Sequence, residues 1–165
     1  MLGAFAVGKT SLISRYVNSL FSEKYHTTIG IKVDKKQISV NGHDMTLMLW
    51  DIAGQDDFQT VQHAWLRGMA GYMLVADGTR RTTLEMARQL HVKATEAAGA
   101  VPFVLLLNKA DLAAQWEIDE PLFIKLAEQG WRIIHTSAKT GDGVEAAFDQ
   151  LARMIAPQTR PGGEL

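Results

Sequence analysis

An eight-residue stretch near the start of the chain, GAFAVGKT at residues 3–10, constrains the fold more than any other feature. It fits the pattern G-x-x-x-x-G-K-[ST], in which glycines let the backbone curl so that successive N–H groups face an anion. A helix beginning near Lys9 would add the positive end of its dipole. The pattern predicts a phosphate-binding loop in which Lys9 reaches the β- and γ-phosphates and Thr10 binds Mg²⁺. The alternative is a glycine-containing turn before an ordinary helix.

Composition places the chain among ordinary globular domains. Its 165 residues carry a net charge of −1 and include no cysteine. The near-neutral charge argues against a nucleic-acid partner. Without cysteine we expect no disulfide, no thiolate metal site and no lipid anchor, and a cytoplasmic location fits. We expect a single domain over residues 1–156 and a frayed tail over residues 157–165, where apolar residues are few.

Hydrophobic patterning predicts an α/β domain with a mostly parallel sheet, because short apolar runs alternate with amphipathic stretches. The predicted strands are residues 29–40, 45–51, 71–77, 101–108 and 131–135, and the predicted helices are residues 11–20, 82–98, 120–129 and 144–155. The first two strands are expected to form a hairpin, because the Asn41–Gly42 dipeptide between them tolerates the positive φ angles of a tight turn.

The strand that should lead into the phosphate loop is almost missing, since only Met1 and Leu2 precede it. Such a strand is central in a parallel sheet, and its loss should leave two neighbours without a partner. We interpret Met1 as an internal methionine of a longer natural chain, whose upstream residues complete the strand.

Polar residues follow the predicted strand at residues 45–51. Asp51 at its end can hold Mg²⁺ through water, and the N–H of Gly54 can meet a γ-phosphate. Gln55 is then placed to orient an attacking water. An aspartate at a strand end is common, so this signal gains weight only beside the phosphate loop.

Two further groups follow the later strands, where ligands of parallel sheets bind. In NKAD at residues 108–111, Asp111 can accept hydrogen bonds from N1–H and the 2-amino group of guanine. Adenine would leave this carboxylate buried and unpaired, at a cost of about 1–3 kcal/mol. In SAK at residues 137–139, the N–H of Ala138 suits the guanine O6. Each motif alone could be an ordinary cap or turn, whereas the ordered set favours a guanine site.

The order GAFAVGKT, TTIG, WDIAGQ, NKAD and SAK resembles the Ras-like small GTPases, with Rab-like features such as FSEKYHTTIG. The resemblance covers residues 3 to about 155. It implies a P-loop NTPase fold with three α/β/α layers, built on a six-stranded, mostly parallel sheet with about five helices.

The resemblance also implies roles for individual residues. Thr28 matches the switch I threonine that binds Mg²⁺ and senses the γ-phosphate. Phe21 matches the aromatic that packs against guanine, and Tyr25 matches the one that closes over the phosphates. Gln55 matches the catalytic glutamine of switch II.

The predicted site can be stated as a whole. The catalytic residues are Gln55 and Lys9, and the metal ligands are Thr10, Thr28 and, through water, Asp51. The nucleotide-binding residues are Phe5, Ala6, Val7, Gly8, Lys9, Thr10, Ser11, Phe21, Tyr25, Thr28, Gly54, Asn108, Lys109, Asp111, Ser137, Ala138 and Lys139. Among these, Lys109 and Lys139 are implied to line the base pocket with their aliphatic stems.

The function implied is a GTP-binding switch with slow, Mg²⁺-dependent hydrolysis of GTP to GDP. Its implied partners are an exchange factor, an activating protein and an effector, which bind the switch regions. Ras itself has glycine where this chain has Phe5, a side chain that can obstruct the attacking water. The alternative is a nucleotide-binding interaction module with little or no hydrolysis. An ATP-using phosphotransferase is disfavoured by Asp111 and by the lack of an acceptor-site base.

Some residues allow two interpretations. Trp65 and Leu66 fit a core position and a partner anchor equally well. Trp50 is expected to pack, and the Lys35–Lys36 pair to form a solvated edge that discourages strand addition. The five histidines lack metal-ligand spacing.

Overall fold

The computed structural model describes residues 1–24, 27–53 and 63–156. Tyr25, Gly54, Gln55 and the predicted tail at residues 157–165 lie outside the described residues, so their predicted roles stay predictions.

The described elements alternate between strands and helices. The strands are β1 (Leu2–Gly3), β2 (Ile31–Val40), β3 (His43–Ile52), β4 (Tyr72–Asp77), β5 (Phe103–Asn108) and β6 (Ile133–His135). The α-helices are α1 (Lys9–Asn18), α2 (His63–Leu66), α3 (Arg81–Ala98), α4 (Glu120–Glu128) and α5 (Val144–Ile155), with a 3₁₀ helix at Ala110–Gln115. Each strand and helix predicted from hydrophobic patterning is present within a few residues of its expected bounds. The 3₁₀ helix was not predicted.

The six strands lie in two sheets within the described part of the chain. Parallel strands in the order β1-β4-β5-β6 form the main sheet, while β2 and β3 form a separate antiparallel hairpin. The six strands and the mostly parallel main sheet agree with the predicted fold class, and the separate pairing of β2 with β3 follows from the shortness of β1 that the sequence indicated. The two residues of β1 pair with Leu74 and Val75 of β4. Toward β3, the amino group of Met1 donates to the Trp50 carbonyl at 2.6 Å. Both expected neighbours therefore contact this end of the chain.

Helices cover both faces of the main sheet and create the three-layer arrangement. Successive residues of β5 alternate between the faces: Leu105 and Leu107 belong to the core cluster that includes residues of α3. Val104 and Leu106 belong to the core cluster that includes residues of α1 and α5. Because both faces are covered, β4 and β5 are buried along nearly their whole length, and the sequence of each is a continuous apolar run.

Parallel pairing places the carboxyl ends of the main strands along one edge. β4 ends at Asp77, β5 ends at Asn108, and β6 is followed directly by Thr136. The phosphate loop follows β1 at the same edge. Ligands bind at this edge in open α/β sheets. Among the described residues, no helix has the length and apolar character needed to cross a membrane.

The structure corrects two expectations on the β2–β3 hairpin. Trp50 was expected to pack, but it is 46% exposed, and its cross-strand partner Val33 is 44% exposed. Lys36 was expected to lie in solvent beside Lys35. Its ammonium instead lies 3.6 Å from the centre of the Tyr16 ring and donates to the Tyr16 carbonyl at 2.5 Å. Lys36 therefore connects the hairpin to α1, whereas Lys35 is exposed.

The two interpretations of Trp65 and Leu66 are also resolved in part. Leu66 is 1% exposed and lies in the core. Trp65 is half-buried and packs against the same core cluster. Both side chains therefore have a structural role in α2.

Candidate functional site

A cavity of about 450 Å³ opens at the carboxyl edge of the main sheet. This volume lies within the range of about 300–1,000 Å³ that is usual for small-molecule sites. The predicted site residues that line it are Phe5, Ala6, Gly8, Lys9, Thr10, Ser11, Phe21, Thr28, Asn108, Lys109, Asp111, Ala138 and Lys139. Val7 and Ser137 are buried next to it, Val7 with its side chain in the core.

The phosphate loop has the tight curvature that its sequence predicts. Ala6 has φ 58° and Gly8 has φ 101°, so both residues are in the left-handed region. At Gly8 there is a second constraint, because a Cβ atom there would lie 2.3 Å from Nδ2 of Asn108. Gly8 is also the N-cap of α1, and within the described chain no side chain caps it. The first amides of α1 thus remain directed toward an anion.

Lys9 brings a positive charge beneath the loop. The residue is 6% exposed, and its ammonium donates to the carbonyls of Gly3 at 3.1 Å and Ala4 at 3.0 Å. Burial lowers the pKa of Lys9 to about 8, an effect that the charge of Asp51 partly offsets. Carbonyls of the loop therefore hold the ammonium in place beside the predicted phosphate site.

Three side-chain oxygens meet beside Lys9. The hydroxyl of Thr10 lies 2.7 Å from the Thr28 hydroxyl and donates to Oδ2 of Asp51 at 2.5 Å. Thr28 also donates to this carboxylate oxygen, at 3.3 Å. Asp51 is 1% exposed, and its Oδ1 is buried without a hydrogen-bond partner among the described residues. A buried carboxylate oxygen without a donor, next to two hydroxyls, fits a hard cation that prefers oxygen ligands, such as Mg²⁺.

Asn108 connects the phosphate loop to the segment after β6. Its Nδ2 donates to the Val7 carbonyl at 2.9 Å. Its Oδ1 accepts from the Thr136 hydroxyl and from the N–H of Ala138, both at 3.3 Å. Asn108 is 2% exposed, so these bonds satisfy an amide that would be costly to bury alone.

Asp111 and Ser137 form the pair expected at a base-reading edge. The hydroxyl of Ser137 donates to Oδ1 of Asp111 at 2.6 Å, which orients the carboxylate. Asp111 is exposed, whereas the sequence argument placed it in a buried position.

A charged cluster that was not predicted lies behind the phosphate loop. Oδ2 of Asp77 lies 2.6 Å from the Lys109 ammonium and 3.0 Å from Nε of Arg80. Arg80 also donates to the Phe5 carbonyl at 2.8 Å. Burial alone would raise the pKa of Asp77, but hydrogen bonds from Lys109, Thr79 and Arg80 outweigh it and hold the pKa below its usual value.

The sequence held one signal for this cluster. Asp77 ends an apolar strand as Asn108 does, and Asp51 is the next-to-last residue of β3; the latter two were predicted. Arg80 carried no comparable signal. Nor did Arg15 of α1, whose guanidinium contacts the carbonyls of residues 138 and 139. Away from this cavity, the described residues hold no cluster of three histidine, cysteine or acidic side chains able to bind a metal.

Comparison with known proteins agrees with this geometry. A family model described as Ras family matches residues 1–157, and the chain belongs to the Ras family. It is 39% identical over 157 residues to Ras-related protein Rab-13 of Canis lupus familiaris, which covers 94% of this chain and 77% of that relative. It is 33% identical over 164 residues to Ras-related protein Rab-4 of Dictyostelium discoideum, which covers 98% of this chain and 80% of the relative. Within the family, the chain is a Rab-like small GTPase, which confirms the resemblance inferred from its motifs.

Proposed function

We propose that the protein is a GTP/GDP switch that hydrolyses GTP slowly with Mg²⁺, and that partners read its state through the switch regions. The observation that carries the proposal is a single cavity lined both by Lys9, Thr10 and Thr28 and by Asp111 and Ala138. The first group suits phosphates and a divalent cation, and the second suits the polar edge of guanine. Both parts of a guanine nucleotide thus have matching residues in one site.

Phosphate binding is assigned to the loop and to Lys9. Ala6 and Gly8 have left-handed backbone conformations, which curve the loop. Two loop carbonyls fix the buried ammonium of Lys9. Lys9→Ala is expected to abolish GDP binding, measured by displacement of a fluorescent GDP analogue. Lys125→Ala, at an exposed position of α4, is the matched control and should bind as the parent does.

Metal binding is assigned to the oxygen cluster. The hydroxyls of Thr10 and Thr28 would hold Mg²⁺ directly, and Asp51 would hold it through water. When bound, Mg²⁺ neutralises charge on the β- and γ-phosphate oxygens. Asp51 orients both hydroxyls in the described structure, which supports its role as the group that organises this site.

Base selection is assigned to Asp111 and Ala138. The Asp111 carboxylate would accept from N1–H and the 2-amino group of guanine, and the Ala138 N–H would meet O6. Adenine offers neither the donor pair nor the acceptor. Competition of ATP against GTP for the site therefore tests the assignment, and equal affinities would favour the ATP-using phosphotransferase instead.

Hydrolysis is assigned to Gln55, which would align water for in-line attack on the γ-phosphate. Gln55→Leu is expected to keep GDP affinity and lose phosphate release from GTP. Gln37→Leu, at an exposed position of β2, is the matched control for the substitution itself. Equal rates of phosphate release in Gln55→Leu and the parent would remove Gln55 from the catalytic role.

A second candidate function, a nucleotide-binding module with little or no hydrolysis, is favoured by Phe5. This side chain lines the cavity, and it can obstruct the attacking water. Phosphate release by the purified protein with GTP and Mg²⁺ separates the candidates. If release is absent in the parent and present in Phe5→Gly, the second candidate is correct.

The switch itself is assigned to Thr28 and to the region of Gln55. Loss of the γ-phosphate would release the contacts of Thr28 and of the Gly54 N–H, so that partners distinguish the two states. An exchange factor, an activating protein and an effector are the proposed partners. Trp65 was predicted to be either a core residue or an anchor for them, and it packs against the core, whereas Trp50 and Val33 present an exposed apolar pair on the hairpin. We therefore propose Trp50 as the better anchor.

The cytoplasmic location, the lack of a lipid anchor and the lack of a nucleic-acid partner stay predictions. So does the division into a domain at residues 1–156 and a tail at residues 157–165.

A further inference from the structure

The guanidinium of Arg15 crosses from α1 to the segment that follows β6. Its Nε donates to the Ala138 carbonyl at 2.8 Å, and its Nη2 donates to the Lys139 carbonyl at 2.5 Å. The two carbonyls are adjacent in the chain and more than 120 residues away from Arg15. A planar guanidinium has its donors in a fixed fork, so it can hold two neighbouring carbonyls at once.

Ala138 is consequently held on both sides. Its carbonyl is fixed by Arg15, and its N–H donates to Oδ1 of Asn108 at 3.3 Å. Because a peptide unit is planar, fixing the Ala138 carbonyl also fixes the direction of the Lys139 N–H. Both residues line the cavity. Arg15 therefore sets the orientation of the Lys139 amide, while Asn108 holds the Ala138 amide.

Arg15 makes a further contact next to the same cavity. The carbon at the centre of its guanidinium lies 5.9 Å from the centre of the Phe21 ring, within the range of a cation–π interaction. Phe21 lines the cavity, while Arg15 is half-buried behind it. Arg15 thus contacts both Ala138 and Phe21, two residues that were expected to contact the base.

We propose that Arg15 is a positioning residue for guanine selectivity, which holds the peptide between Ala138 and Lys139 at the place where O6 of the base is read. The inference rests on the proposed function and assigns Arg15 no direct contact with the nucleotide. Asp111 has a separate support, because its carboxylate is oriented by the Ser137 hydroxyl. The residues proposed to bind O6 and the residue proposed to bind the N1–H/2-amino edge are therefore held in place by different side chains, Arg15 and Ser137.

Three nucleoside diphosphates test whether the contact to O6 depends on Arg15 separately from the contacts to N1–H and the 2-amino group. GDP presents O6, N1–H and the 2-amino group. Inosine diphosphate keeps O6 and N1–H but lacks the 2-amino group, whereas 2-aminopurine riboside diphosphate keeps the 2-amino group but lacks O6 and N1–H. Affinities are measured with Mg²⁺ by displacement of a fluorescent GDP analogue, for the parent, Arg15→Ala, Arg15→Lys and Arg88→Ala.

Arg15→Ala is expected to lower the affinities for GDP and for inosine diphosphate by the same factor, about threefold to tenfold, as for the loss of one hydrogen bond. The affinity for 2-aminopurine riboside diphosphate should fall by less than the affinity for GDP, because that ligand makes no O6 contact and loses only the support of Phe21. Arg15→Lys should fall between the parent and Arg15→Ala, since a single ammonium lacks the fork. Arg88→Ala, at a surface position of α3 where the arginine pairs with Glu85, should match the parent.

If Arg15→Ala lowered the affinities for all three ligands equally, the role of Arg15 would be merely structural and the proposal would be overturned. Unchanged GDP affinity would overturn it as well. Unfolding curves and circular dichroism check that each variant is folded. If Arg15→Ala does not fold, the ligand ratios of Arg15→Lys decide in the same way. Absence of GDP binding by the parent would overturn the proposed function itself, whereas normal binding by the parent with unchanged ratios overturns only the role of Arg15.

Discussion

Thr10 donates a hydrogen bond of 2.5 Å to Asp51, which joins the first turn of α1 to the end of β3. Asp51→Asn would keep the shape of this contact and remove the negative charge beside it. We expect GDP affinity in the presence of Mg²⁺ to fall by about 10–100-fold, as for the loss of a group that orients metal ligands. GDP affinity in EDTA should be unchanged.

The measurement for Asp51→Asn is a titration of GDP at several Mg²⁺ concentrations. Asp44→Asn is the control, because it makes the same substitution at an exposed position of the same strand. An equal loss of affinity with and without Mg²⁺ would contradict the assignment of Asp51 to the metal.

Gly8→Ala tests the packing of the phosphate loop against Asn108. An added Cβ would lie 2.3 Å from Nδ2 of Asn108, and the residue has φ 101°. Gly130→Ala is the matched control, since Gly130 has φ 83° and open space around the added atom. In urea unfolding, we expect Gly8→Ala to lose about 1–3 kcal/mol more stability than Gly130→Ala, which is the usual cost of overpacking. Equal losses would show that backbone strain alone matters at Gly8.

Asn108→Ala is expected to lower the free energy of unfolding by about 1–3 kcal/mol, because the Val7 carbonyl and the Thr136 hydroxyl would lose a buried partner. It should also weaken GDP binding, since the same bonds hold the phosphate loop. Urea unfolding and GDP displacement measure the two effects. Asn18→Ala, at the exposed end of α1, serves as the control and should change neither quantity.

His91 gives the fold a pH dependence far from the cavity. Its Nδ1 lies 2.7 Å from the Tyr72 hydroxyl, and burial lowers its pKa below 6.5. Between that lowered pKa and 6.5, the unfolded chain binds more protons at this position than the folded chain does. Stability from His91 is therefore present at neutral pH and lost as the pH falls through this range.

The thermal midpoint of the parent should accordingly decrease from pH 7 to pH 5.5 by more than that of His91→Gln. His43→Gln is the control, because it removes an exposed histidine. Parallel pH profiles for the parent and His91→Gln would rule out the contribution of His91.

Local features of the fold and site were predictable because they depend on short stretches of sequence. The buried strands β4 and β5 read as apolar runs, and the loop before Lys9 carries its own turn residues. The division of the sheet follows from the shortness of β1, which the two residues before the phosphate loop already indicated, although patterning does not show which strands stay paired. Arg15 and Arg80 act through backbone carbonyls distant in sequence. A carbonyl acceptor belongs to every residue, so such contacts leave no trace in residue type.

The exposure of Trp50 was mispredicted for a related reason. An apolar residue on a hairpin is buried only if another element covers its face, and the sequence does not say which face is covered. Val33 and Trp50 are paired on the hairpin, and both remain exposed.

The bonds of Asn108 also have a consequence for the size of the ligand. By joining Val7 to Ala138 they fix the separation between the loop assigned to phosphates and the loop assigned to the base. Neither loop can shift toward a shorter ligand without breaking a buried hydrogen bond. A nucleoside monophosphate or a free base would engage only part of the site. The protein would therefore favour nucleotides long enough to reach both loops, and Asn108 would set that length.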